Sequence, residues 1–123
     1  MKLDLFDLSG KTAVVIGGNS TLGSAMAVAL GAYGADVAIV GRNPQTTEDA
    51  VRRVGETGAR ARAFFADATK ADDLRRVLDE VLSWTGRVDV LMNCPGKNSA
   101  TPFFELTMEE RDAIMDVNLK CVV

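Results

Sequence analysis

One pattern governs what this chain can become: a short run of β-branched and apolar residues, then a stretch of helical periodicity, repeated four times. The runs lie at 12–16, 36–40, 60–65 and 88–92. The first, second and fourth are almost continuously apolar, as strands are when helices cover both faces of a parallel sheet. Between them, Leu22, Ala25, Met26, Ala29, Leu30 and Tyr33 follow helical spacing, which places Tyr33 in the core. Leu74, Val77, Leu78, Val81 and Leu82 do the same, with Asp, Glu and Arg on the opposite face. A further helix is expected over 45–57 and a last one after Thr107. Thr69 with Asp72, and Thr107 with Glu110, have the spacing of capping boxes. Gly34, Gly58 and Gly86 stand where a left-handed residue closes a helix. Short connections between alternating strands and helices demand right-handed crossovers, hence one α/β domain over residues 1–123.

The first run passes directly into Gly17-Gly18-Asn19-Ser20-Thr21-Leu22-Gly23, and a helix follows. Such a turn gathers unpaired amides and the positive end of the helix dipole at one point, where a phosphate can sit if no side chain intrudes. Gly17 would permit the tight turn. Gly23 would allow close packing of the helix or close approach of a ligand. Gly18 and Gly23 have P-loop spacing, but Ser24 and Ala25 stand where Lys and Ser/Thr are required. A methyltransferase-type nucleotide site would want an acid at the end of the second strand, and none is there. The remaining readings are a dinucleotide site and a glycine-rich turn that binds nothing.

Charge and composition narrow the partners. The net charge is −3 and no run of Lys/Arg exceeds two, which argues against nucleic acid and anionic membranes. No apolar stretch approaches the roughly 18 residues of a membrane span. The start of the chain, residues 1–8, alternates Asp with Leu and Phe and does not read as a signal peptide. Cys94 and Cys121, with no His anywhere, make no metal site. A cytoplasmic protein with free thiols is the expectation.

At these residues the sequence resembles the short-chain dehydrogenase/reductases. Their phosphate loop is Thr-Gly-x3-Gly-x-Gly, and Gly17 and Gly23 match its first and last glycines, with Ile16 and Thr21 departing from it. Asp67 follows the third strand, where the family has an Asp facing the adenine. Asn93-Cys94-Pro95-Gly96 matches the first and last positions of the family's Asn-Asn-Ala-Gly. Asp116-Val117-Asn118-Leu119 resembles its helix segment with a functional Asn. The resemblance implies a Rossmann-type parallel sheet with helices on both faces, holding strands in the order 3-2-1-4. It implies cofactor contacts at Gly17, Asn19, Ser20, Leu22 and Gly23, at Asp67 and Ala68, at Asn93 and Gly96, and at Val117. It gives Asn118 a part in catalysis, and a small carbonyl or alcohol as substrate. The stretch 96–107 further resembles short-chain enzymes acting on sugar acids, such as fructuronate reductases.

In such folds an acid about 20 residues past the glycine motif holds the ribose of NAD, while an Arg favours the 2′-phosphate of NADP. Asp36 is at the wrong end of its strand. Gly41 and Arg42 stand at the right one, with room for a phosphate and a guanidinium fork to bind it. NADP is the expected cofactor, with NAD as the alternative. The family's catalytic Tyr-x3-Lys has no counterpart, since the one tyrosine is Tyr33 and Val37 stands four residues later. The chain ends within a helical pattern. It is therefore expected to be the N-terminal part of such a domain, inactive alone. An open fourth strand and a helix stripe of Ile114, Met115, Leu119 and Val122 would favour homo-oligomers. The other function class is a non-catalytic nucleotide-binding or interaction module.

Overall fold

A computed structural model describes residues 4–97 and 99–123. Residues 1–3, where the Asp/Leu/Phe alternation begins, and Asn98, in the loop 96–103, lie outside the described residues. The strands are β1 (Thr12–Ile16), β2 (Asp36–Gly41), β3 (Ala61–Phe65) and β4 (Val90–Asn93). They form one parallel sheet in the order β3-β2-β1-β4. The helices are α1 (Thr21–Ala32), α2 (Pro44–Gly55), α3 (Ala71–Thr85) and α4 (Met108–Met115). The fold class and strand order are those the sequence implies.

The central strands, β1 throughout and β2 from Val37 on, are buried because each face has its own core. Val15, Val37 and Ile39 point towards α1 and α2, where Ala27, Ala50 and Val54 complete a dry cluster. Val14, Val40 and Phe64 point the other way, against Val77 and Val81 of α3. β4 lies at the sheet edge, and Leu91 on it is 61% exposed.

Several local details differ from the sequence reading. α1 turns its small residues, Gly23, Ser24, Ala27 and Gly31, towards the interior. Close packing requires this, because a Cβ on Gly31 would lie 2.8 Å from a Val54 methyl. The large residues are displaced to the flank. Tyr33 is consequently not core: it caps α1, is 57% exposed and rests its ring edge on Phe6. Of the α3 stripe only Val77 and Val81 are buried.

The Thr69–Asp72 capping box does not form. The Thr69 hydroxyl and amide both donate to Asp67 Oδ1, at 2.6 and 2.9 Å, so Lys70 becomes the cap residue and contributes no side-chain bond. The Thr107–Glu110 box forms by half. Thr107 Oγ1 accepts from the Glu110 amide at 3.1 Å, but the Glu110 carboxylate turns elsewhere. The fourth strand starts at Val90 rather than 88, because the Asp89 carboxylate takes the Thr12 amide at 2.9 Å and ends the ladder there. The chain after α4 is a π turn, Asp116–Lys120, closed by the Cys121 amide on Asp116 O at 3.0 Å. The extra residue breaks the expected stripe: Val122 lines the groove beside α3 while Met115 and Leu119 do not, and all three remain exposed.

Ile39 has no exposed surface and sits between the two covering helices and the sheet. Ile39→Ala should cost about 2–5 kcal/mol in urea unfolding. Leu22→Ala, at a position 63% exposed, should stay within about 0.5 kcal/mol. Equal effects at both sites would contradict the described core.

Candidate functional site

β1 ends where the strand order reverses, with β2 on one side and β4 on the other. In open α/β sheets that reversal leaves a crevice at the carboxyl ends of the strands. Here the crevice is built on backbone contacts. Gly17 has φ +76°, and a Cβ there would lie 2.3 Å from the Cys94 carbonyl oxygen. A Cβ on Gly23 would lie 2.2 Å from the Gly17 oxygen. Neither position can carry a side chain without moving main chain. Ser20 locks the turn, its hydroxyl donating to Gly17 O at 2.8 Å and accepting from the Gly23 amide at 3.0 Å.

What this leaves open is a set of donors. Among the described residues, the amides of Asn19, Thr21 and Leu22 at the start of α1 donate to no partner. Unpaired amides at a helix start, with no side chain before them, fit the pyrophosphate of a dinucleotide. The crevice encloses about 270 Å³. Gly17, Asn19 and Ser20 form its inner wall. Arg42 and Asn43 stand at the end of β2, and Asp67, Ala68 and Thr69 at the end of β3. Pro95, Gly96 and Val117 close the far side.

Eight of the sequence-derived cofactor positions thus share one crevice: Gly17, Asn19, Ser20, Arg42, Asp67, Ala68, Gly96 and Val117. Four residues lie outside its lining. Leu22 faces solvent with its side chain and offers only its amide; Gly23 supports the turn from beneath. Asn93 lines the apolar groove on the α3 side of β4, together with Cys121. Asn118 sits inside the π turn and brackets Lys97: its Nδ2 donates to Lys97 O at 2.8 Å, and its Oδ1 accepts from the Lys97 amide at 3.0 Å.

Asn43 and Thr69 are functional candidates that sequence reasoning passed over. Asn43 Oδ1 accepts from the amides of Gln45 and Thr46, capping α2 above the crevice. The Asn-Pro pair at 43–44 is a helix-start signal that would have found it. Gly41 is needed for the same corner, since a Cβ there would meet Thr47 Oγ1 at 2.5 Å and Asn19 Cγ at 2.6 Å. Asn19 occupies that space and donates to Thr46 Oγ1 at 3.1 Å.

The electrostatics suit an anionic guest beside the guanidinium. Arg42 is exposed and forms no ion pair among the described residues. The Asp67 carboxyl is held below the usual carboxylate range, chiefly by the Thr69 hydroxyl and amide, with smaller help from Arg42 and Lys70 against the cost of burial. No group of three metal-binding side chains occurs among the described residues, nor any helix long and apolar enough to cross a membrane.

Comparison with known proteins shows the family. Residues 11–123 match the family described as short chain dehydrogenase, and the chain belongs to it. The 2-dehydro-3-deoxy-D-gluconate 5-dehydrogenase of Escherichia coli K12 is 34% identical over 122 residues, covering 99% of this chain and 47% of that protein. A short-chain type dehydrogenase/reductase from Mycobacterium marinum superposes with a TM-score of 0.93 at 31% identity, over 99% of this chain and 50% of that one. An NAD+-bound xylitol dehydrogenase superposes with a TM-score of 0.87 at 26% identity, over 93% and 44%. The chain spans about half the length of the relatives it matches.

Because Asp67 is more acidic folded than unfolded, it contributes stability above the ordinary carboxylate pKa, and that contribution is lost as pH falls through its lowered folded pKa. Thr69→Ala removes the main cause, so Asp67 should titrate closer to the ordinary value and the acid-side loss of stability should shrink. Carboxyl-carbon NMR titration of both proteins reads this directly. Superimposable curves would show that Thr69 is not the cause.

Proposed function

We propose that this chain is the dinucleotide-binding portion of a short-chain oxidoreductase that moves hydride between a nicotinamide cofactor and a small carbonyl or alcohol. The observation that carries the reading is a set of amides at the β1–α1 turn without partners among the described residues, facing a crevice with Arg42, unpaired among the same residues, at its other end. When bound, the nicotinamide accepts or delivers the hydride. The chain's own residues bind and orient. The Asn19, Thr21 and Leu22 amides would hold the pyrophosphate, helped by the α1 dipole. Asp67 and Ala68 would border the adenine. Gly96 and Val117 would border the far half of the cofactor, and Asn118, which the resemblance gives a part in catalysis, holds the Lys97 backbone beside it.

NADP is the preferred cofactor in this reading. Arg42 supplies a cationic fork at the end of β2, and Gly41 brings no carboxylate to repel a phosphate. The NAD+-bound xylitol relative marks NAD as the competing choice. The resemblance of 96–107 to sugar-acid enzymes has a counterpart in the name of the Escherichia coli relative, and a polyhydroxylated acid is the substrate class to test first. We place the protein in the cytoplasm.

One observation favours binding without turnover by these 123 residues. Tyr33 caps the end of α1, where its carbonyl accepts from the Leu8 amide. That is the end of the sheet opposite the crevice, so Tyr33 cannot reach a substrate placed there. The general acid of the reaction would have to come from elsewhere.

Calorimetric titration with NADP and NAD tests the assignment. NADP should bind more tightly, and Arg42→Ala should abolish the preference with a loss of about tenfold or more in NADP affinity, the scale of a charge-assisted hydrogen-bond pair. An unchanged preference in the variant would remove Arg42 from the site. In the same samples, turnover of any carbonyl substrate by homogeneous chain would contradict the binding-only reading. The exposed Leu91, Met115 and Leu119 should make the chain self-associate, probed by sedimentation over a concentration series; a monomer throughout would dismiss that expectation.

A further inference from the structure

The carboxylate of Glu110 does not do what its position in the helix suggests. It is the third residue of α4, and its amide is capped by Thr107 Oγ1. A reciprocal box would turn the carboxylate back onto the Thr107 amide. Instead it crosses to the loop after β4, where Oε1 accepts from Thr101 Oγ1 at 2.6 Å and from Ser99 Oγ. The Thr101 amide in turn donates to Ser99 Oγ at 3.1 Å, so one carboxylate gathers two hydroxyls and, through them, the backbone. These bonds hold the Glu110 carboxyl below the usual carboxylate range, with Lys97 adding a nearby positive charge.

This loop is the continuation of the crevice wall. Pro95 and Gly96 line the crevice, and Lys97 follows them in the grip of Asn118. Packing fixes only the start of the wall: a Cβ on Gly17 would meet Pro95 N at 3.2 Å, whereas a Cβ on Gly96 would find nothing nearer than Asn118 Oδ1 at 3.9 Å. Beyond Pro95 hydrogen bonds hold the loop, and they come from two points on the last helical segment. Asn118 takes the loop at 97, and Glu110 takes it at 99 and 101.

We propose that Glu110 is a positioning residue for the crevice, clamping the loop at Ser99 and Thr101 so that Gly96 keeps its place in the wall against which the far half of a bound dinucleotide lies. This rests on reading the crevice as a dinucleotide site. The near half, at Arg42, Asp67 and Ala68, is built on other strands and does not depend on the clamp.

That division gives the test. Wild type, Glu110→Gln and Glu110→Ala are titrated with NADP and with adenosine 2′,5′-bisphosphate, which carries only the adenosine end. Glu110→Ala should weaken NADP about tenfold while leaving the bisphosphate within about twofold, and Glu110→Gln, which keeps an acceptor oxygen, should fall between. If the two ligands weaken together, or neither changes, Glu110 does not position the wall. Hydrogen exchange reads the clamp without any ligand: the Thr101 amide should exchange faster in Glu110→Ala, and unchanged exchange overturns the proposal. Wild type that binds neither nucleotide defeats the dinucleotide reading, and with it the proposal, even if the exchange arm still shows Glu110 holding the loop.

Discussion

Three stretches of main chain meet at the carboxyl end of β1, and the rest of that end of the molecule is arranged around their contact. The Gly17 carbonyl lies against Gly23, and the Cys94 carbonyl lies against Gly17. The first contact fixes how sharply β1 turns into α1, and so where the helix dipole points. The second fixes how close the chain leaving β4 comes to that turn. Together they leave a slot bordered by amides rather than side chains. A methyl group at either glycine would force main chain apart, so the slot tolerates no approximate version of itself.

The two faces of the sheet carry unequal loads around this point. On the α1 and α2 side, helix and helix approach through glycine and alanine, and the core is dry around Val15, Val37 and Ile39. On the other side α3 alone covers Val14, Val40 and Phe64. The ground beyond it, next to Leu91, is an apolar groove that also takes in Cys121 and Val122. The edge strand follows from this. β2 is buried along nearly its whole length, whereas β4 alternates half-buried and exposed positions, because its hydrogen-bonding neighbour and covering helices lie on one side only.

The parallel sheet is legible because periodicity and connection rules act over whole segments, and a shift of one or two residues does not disturb them; its strand order came from the family resemblance alone. The glycine turn was legible for a different reason: only glycine can occupy Gly17 and Gly23, so the chemistry of the backbone is written in the residue type. What escaped depended on which of several partners a polar side chain would choose. Thr69 and Glu110 both had capping spacing. Thr69 bonded backwards to Asp67 and Glu110 bonded forwards in space to Ser99 and Thr101. Local spacing offers the option, and tertiary placement decides it. Tyr33 escaped likewise, since helical periodicity identifies an apolar face but cannot say which edge of that face the neighbouring helix will leave open.

The corner where β2 ends ties what can stand at position 41 to a residue twenty-two positions earlier. Asn19 fills the space that the missing side chain of Gly41 vacates, and it is anchored there by Thr46. An acidic residue at 41, of the kind that grips ribose hydroxyls, would collide with Asn19 and Thr47 before meeting any ligand. The atoms in the way are the ends of side chains, so a residue at 41 can enter once Asn19 and Thr47 turn aside or shrink. Inheritance couples the two sites accordingly: in any set of descendants, positions 19 and 41 should drift as a pair.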